Sequence, residues 1–309
     1  MASRSALLRL VSDDATPEAD PAKGDAVLPL HAQVEAMQLE MEQLKSELHL
    51  LRRRDETLNY CMHRIDEELR LAAKLQQDFL PRTMPQIGNV HFHTLYRPAG
   101  YVSGDLYDVC RLDEQHVGFW MTDAVGHGMP AALLTMFIKN AFVTKEISAT
   151  GYRLLTPGET LSRLNEAMVE QNLSQATFAT AVYGVVNVRT LTVRYARAGH
   201  PLPMLMKRFG EIDMLDADGG LLGIFGGEVY ETRTVHLTPG DRLIFYSDGV
   251  EVAFGVGESM DTHRWRHELT ERRELPTETM LHEFAMQMDT ETGSIQPKDD
   301  LTIIALEVR

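Results

Sequence analysis

Between Leu30 and Phe79 a single spacing governs the chain. Leu30, Val34, Met37, Met41, Leu44, Leu48, Leu51, Asp55, Leu58, Met62, Ile65, Leu69, Ala72, Gln76 and Phe79 follow one another in alternating steps of four and three. A straight α-helix drifts off such a seam by ~20° per heptad, so a stripe kept in phase over this length predicts a coiled coil in which helices wind about each other. A helix from about residue 30 to 80 would be ~75 Å long at 1.5 Å per residue, more than one ordinary domain can cover. The expectation is a homodimer through residues 30–80; a single amphipathic helix packed on its own domain is the competing reading. Asp55 at a seam position marks a local opening or a device that fixes register. Pro81 and Pro85 stop the helix, because proline lacks the amide proton and clashes with the preceding turn.

That seam forces the remainder, residues 84–309, to build a core of its own. Residues 1–29 are rich in Ala, Asp, Pro and Ser and broken by Pro17, Pro21, Gly24 and Pro29, which predicts a disordered arm. The 309 residues are 44% hydrophobic and 24% charged with a formal net charge of −15, a soluble globular composition. The acidic balance argues against nucleic acid as a partner, since phosphate backbones need basic patches. No run approaches the ~20 apolar residues of a membrane span. Ala6 to Val11 is too short and interrupted for a signal peptide. Cys61 and Cys110 do not suggest a disulfide, and a cytoplasmic location is the simplest expectation.

Hydrophobic periodicity predicts strands over 90–95, 106–112, 117–122, 178–188, 191–198, 202–207, 229–237, 241–247 and 300–308, with helices over 129–147, 158–172 and 263–289. Strands joined by short links, with the helices in groups, indicate an α+β fold of largely antiparallel sheets. Four acid positions stand beside the apolar runs. Asp123 closes the run Val117 to Met121 ahead of Gly126 and Gly128, and Asp248 closes Leu243 to Tyr246 ahead of Gly249. Asp105 opens one strand pattern, and Asp299 and Asp300 open the last. Strand ends are where polar groups converge, and several carboxylates together are what a hard cation such as Mg²⁺ or Mn²⁺ takes as ligands.

Ser103 to Asp108, Asp123 to Leu133 (D-x-x-G-H-G-x-x-A-A-L), Ala198-Gly199-His200-Pro201, Asp248-Gly249-Val250-Glu251 and Asp299-Asp300-Leu301-Thr302 occur in one order. Together they resemble the bacterial PP2C-like (PPM) serine/threonine phosphatases of the sigma-B regulator and stage II sporulation type, over roughly residues 84–309. Ser103 in place of a first glycine and Ala124-Val125 after Asp123 depart from the family pattern without removing an acid. The resemblance implies a four-layer αββα sandwich and two Mn²⁺ or Mg²⁺ ions. In that reading Asp123 bridges the ions, the Ala124 carbonyl adds a ligand, Asp105 completes one ion, and Asp248 and Asp299 complete the other, with Asp123 and Asp248 as the catalytic pair. An activated water then attacks phosphorus directly. Asp300, His127 and Arg97 stand as outer-shell residues: Asp300 as an outer ligand or cap, His127 as an orienter of its loop, ahead of a general acid for the leaving alkoxide, Arg97 as a phosphate-steering or salt-bridging cation. Asp108 is expected to bond backbone, and His200 to be a turn histidine.

By the same resemblance the substrate is a phosphoprotein, a STAS-type anti-sigma-factor antagonist, and an upstream regulatory protein binds the coiled coil. Two other classes compete. Gly126-His127-Gly128-Met129-Pro130-Ala131 also fits G-x-G-x-x-A, a dinucleotide-binding fingerprint, but no second parallel strand ending in an acid follows, Lys145-Glu146 falling in a helical pattern. A PPM-like dimeric scaffold that has lost turnover would keep the same acids.

Overall fold

A computed structural model describes residues 29–149, 151–172, 177–254, 262–291 and 299–309. The arm expected over residues 1–29 lies, Pro29 apart, outside the described residues. The chain divides into two compact units, Met1–Arg64 and Ile65–Arg309. In the first, helix α1 (Leu30–Asp78) carries the seam, and Val34, Met37, Met41, Leu44, Leu48, Leu51 and Leu58 are all exposed in the single chain. The last turns of α1 belong with the second unit.

That second unit is a sandwich of two five-stranded sheets. One sheet runs in the order β1 (Val90–Arg97), β12 (Leu301–Val308), β11 (Arg242–Tyr246), β8 (Met204–Met206), β9 (Ile212–Met214). The other runs β10 (Arg233–His236), β7 (Thr192–Ala198), β6 (Ala179–Asn187), β3 (His116–Ala124), β2 (Asp105–Arg111). Neighbouring strands pair antiparallel throughout both sheets.

Successive strand side chains face opposite ways, so an unbroken apolar strand must be covered on both faces. Phe119 and Met121 of β3 point between the sheets to meet Phe92, Phe245 and Ile304. Trp120 points outward onto α2 (Met129–Ala141) and α3 (Pro157–Glu170), with Leu134, Ile138, Leu161 and Leu164. In β12, Ile304 and Leu306 face the first layer, while Ile303 and Ala305 pack on α4 (Asp248–Phe254), α5 (Thr262–Glu271) and α6 (Thr277–Glu291) through Trp265 and Phe284. Three apolar layers therefore separate four structural layers, the expected αββα arrangement.

Several local expectations fail for identifiable reasons. The helix read over 129–147 ends at Ala141, where Phe142 turns extended and stacks its ring on Trp120 at 4.8 Å between centroids. Lys145–Ser148 then pairs as β4 with β5 (Gly151–Leu154), so Lys145-Glu146 is strand and not helix. The helical stretch 263–289 is two helices, because Pro276 disfavours helix in the residue before it. The strands read over 202–207 and 229–237 shorten to β8 and β10, and β9 and α4 were not foreseen. The dinucleotide reading falls with the topology. β3 lies between β2 and β6, both antiparallel to it, whereas that fingerprint needs a parallel βαβ unit.

Candidate metal centre

All the strand-end acids gather at one end of the sandwich, two from each sheet. Asp105 opens β2 and Asp123 sits near the end of β3, directly opposite one another in the ladder. Facing residues of an antiparallel pair share a side of the sheet, with Cβ atoms about 5 Å apart. In the other sheet β11 and β12 are antiparallel neighbours, Tyr246 opposite Ile303, so Asp248 just after one and Asp299 just before the other emerge together. Asp248 opens α4 and does not sit in a simple turn, and Gly249 follows because a Cβ there would lie 2.1 Å from the Asp300 carbonyl oxygen.

Asp105 is 1% exposed, and its Oδ2 accepts from Thr302 Oγ1 at 2.6 Å. Its backbone amide donates to Ser103 Oγ at 3.0 Å, so the serine that departs from the family glycine caps the strand carrying the acid. Gln76, the last buried seam residue, grips Ser103 from the other side: its Nε2 donates to the Ser103 carbonyl at 2.7 Å and its Oε1 accepts from the Ser103 amide at 2.9 Å. Asp300 ties this loop to β12, its Oδ1 accepting from Ala99 N at 2.7 Å and its Oδ2 from Gly104 N at 2.6 Å. Its own amide donates to Asp299 Oδ1 at 2.8 Å. Both Asp300 oxygens are thus engaged in holding backbone.

A pocket of about 760 Å³ opens over this end, lined by Asp123, Asp248, Asp299 and Asp300, with Ala124, Val125, Gly126, His127, Tyr101, Val102 and Thr180 among its other walls. Among the described residues no lysine or arginine lines it. Burial first, then the charges of Asp248, Asp299 and Asp300, pushes the Asp123 carboxyl up to about 8. Burial and then the Asp123 charge hold Asp105 well above the usual carboxylate range. Asp248 and Asp299 are raised too, by burial and then chiefly by Asp299 and Asp300 respectively, although the Asp300 amide and His127 draw Asp299 the other way. Carboxylates crowded this way form a donor set suited to a hard divalent ion. Among the described residues no three His, Cys, Asp or Glu side chains close around a single point. The fit is therefore to ions that keep several waters and take one or two carboxylates each, as Mg²⁺ does.

Other expected residues fall elsewhere. Arg97 is not in the pocket wall; its Nη1 donates to the Ala285 carbonyl of α6 at 3.1 Å. Asp108 pairs with Lys139 of α2 at 2.6 Å instead of bonding backbone. His127 is exposed in the loop after β3 and lines the pocket. His200 lies in the connection between β7 and β8 and is buried. Thr302 was visible as the last letter of the D-D-x-T stretch, but only the fold shows it bonding Asp105. Gln76 gave no signal beyond a polar residue on an apolar seam.

Sandwich and acid cluster together define the fold of a PP2C phosphatase domain. The SiaA PP2C domain of Pseudomonas aeruginosa superposes with a TM-score of 0.69 at 24% identity, over 81% of this chain and 99% of that one. RsbX in complex with magnesium superposes with a TM-score of 0.52 at 19% identity, over 74% and 99%. Residues 113–309 match the Stage II sporulation protein E (SpoIIE) family, and the chain belongs to it, as its motifs led one to expect. The phosphoserine phosphatase RsbU of Bacillus subtilis (strain 168) is 32% identical over 196 residues, 63% of this chain and 56% of RsbU. The chain spans about half the length of the curated relatives it matches. No described helix is long and apolar enough to cross a membrane.

Proposed function

We propose that this chain is a Mn²⁺- or Mg²⁺-dependent phosphoserine or phosphothreonine protein phosphatase of a bacterial signalling pathway. The observation that carries the reading is the convergence of Asp123, Asp248 and Asp299, from two sheets, on one anionic pocket, with Asp105 buried opposite Asp123 in the ladder, in a chain of the SpoIIE family. The likeness to RsbX, whose structure holds magnesium, and to the phosphoserine phosphatase RsbU supports it.

Asp123, the Ala124 carbonyl, Asp105, Asp248 and Asp299 would hold two ions, with Asp123 shared between them. Ions there supply positive charge against the phosphoryl oxygens and make water a stronger acid. The chain's own part is to fix the acids, Thr302 orienting Asp105 and Asp300 securing the Gly104 loop. Tyr101, Val102 and Val125 give the pocket apolar walls, and the opening leaves room for a phosphoseryl side chain. Residues 30–80 form the dimer and a surface for an upstream regulator, residues 84–309 form the phosphatase domain, and the protein works in the cytoplasm. The substrate in this reading is a STAS-type anti-sigma-factor antagonist, which makes the enzyme part of sigma-factor regulation.

Phosphate release from a phosphoprotein with Mn²⁺, lost in Asp248→Asn, tests the enzyme. No release with either metal would favour the silent dimeric scaffold. Charged residues at Leu44 and Leu51 should convert dimers to monomers by light scattering, because a buried seam cannot hold unpaired charge; an unchanged mass would refute the dimer.

A further inference from the structure

Between β7 of one sheet and β8 of the other the chain crosses the sandwich at the metal-centre end, through Gly199, His200 and Pro201. An isolated bridge holds Gly199 alongside Ala181 of β6, and Arg197 Nη1 donates to the His200 carbonyl at 2.7 Å, so the crossing is fixed at both ends. His200 itself is 1% exposed. Its Nδ1 lies 2.9 Å from Thr180 Oγ1 on β6, and Thr180 stands directly opposite Asp123 in the β3–β6 ladder. Tyr246, two residues before Asp248, stands in the wall of the cavity that His200 lines. A second cavity of about 380 Å³ has His200, Thr180, Tyr246, Asp123 and Asp248 in its wall. Thr180, Asp123 and Asp248 also line the larger pocket, so the histidine stands behind the acids and not among them.

We propose that His200 is a positioning residue for the metal centre, a pin in the crossover between the two sheets that holds Thr180 beside Asp123, with the Tyr246 strand end carrying Asp248 in the wall of the same cavity. This rests on the metal-centre reading given above.

The chemistry suits a neutral imidazole. Burial, with help from the Arg197 charge, pushes the ring down to about 3, so it is uncharged at neutral pH and carries one donor and one acceptor. Nε2 is buried and closes no hydrogen bond, and the Tyr246 backbone favours a proton on the ring. With the proton assigned to that side, Nδ1 is left to accept from the Thr180 hydroxyl. A leucine would fill the space but could not hold the hydroxyl, whereas an asparagine can place its amide oxygen where Nδ1 lies. Groups that orient ligands from behind commonly set metal affinity by ten- to a hundredfold, about the range expected here.

Calorimetric Mn²⁺ titration of the full chain, with the wild type, His200→Leu, His200→Asn, Thr180→Val and the Thr180→Val/His200→Leu double variant, tests the pin. His200→Leu and Thr180→Val should each weaken Mn²⁺ binding by about tenfold. His200→Asn should stay within about threefold of wild type, and the double variant should bind no more weakly than His200→Leu, because both changes break one link. A packing role alone would spare the isosteric Thr180→Val. Affinities equal to wild type in every variant would overturn the pin while leaving the metal centre standing. A wild type that takes up no Mn²⁺ would overturn the metal centre itself. Should His200→Leu fail to fold, Thr180→Val against wild type decides the matter alone.

Discussion

Asp105 and Asp123 stand in regular strand, locked opposite each other in a ladder, whereas Asp248 and Asp299 come from places where strand gives way to helix or loop. Asp105 is buried and bonded by Thr302, while Asp299 is exposed. The first pair is placed by the sheet itself, which cannot shift register without turning a whole face from core to solvent. The second pair is placed by a close backbone approach at Gly249 and by short hydrogen bonds around Asp300. One half of the centre is thus built into the fold, and the other is fastened to it afterwards.

Equal losses on the two sides would break that comparison. Asp123→Asn should cut phosphate release by about a thousandfold, roughly 4 kcal/mol of lost transition-state stabilisation, while Asp299→Asn should cost only about tenfold. Steady-state kinetics under saturating Mn²⁺ measures both.

A sharper comparison comes from pH. Asp123, raised from 3.8 to about 8, keeps in the metal-free fold a proton that the unfolded chain releases. The stability it contributes is therefore complete below pH 3.8 and lost as pH rises through about 8. The metal-free melting temperature should fall over that window, and saturating Mn²⁺ should cancel the fall by taking the proton's place. Mn²⁺ affinity should rise by about tenfold per pH unit below that value for one displaced proton, with proton release visible in buffers of different ionisation heat. Asp123→Asn should flatten the profile, and Asp299→Asn should leave most of it.

The smallest effect belongs to a control away from both pairs. Thr156 and Glu159 form a capping box at the start of α3, Glu159 Oε2 accepting from Thr156 N at 2.7 Å. Thr156→Ala should lower stability by about 1 kcal/mol by denaturant melting and leave Mn²⁺ affinity unchanged. A change in affinity there would show that the centre responds to stability in general.

The acids were legible because each ends or opens an apolar run, a pattern that survives without knowing what the run packs against. The same holds for the strands, read from their own apolar runs. The end of α2 was not legible, since Phe142 leaves the helix for a ring 22 residues earlier in the chain, and helical periodicity carries no record of that. Pro276 was in plain view and marked the break between α5 and α6. Asp108 was misplaced because a charged residue in a sequence declares its charge and not its partner.

Sequence alone determined which residues could ligate, their order along the chain, the antiparallel character of the sheets and the seam of α1, all of which depend on local spacing. Tertiary structure decided which acid lies deep and which lies at the rim, that Thr302 and Asp300 fasten the loop, and that a histidine in a crossover stands between the sheets. Those outcomes rest on contacts between segments as much as 201 residues apart, as in the bond from the Ala99 amide to Asp300. Only the folded chain brings such groups within hydrogen-bonding distance.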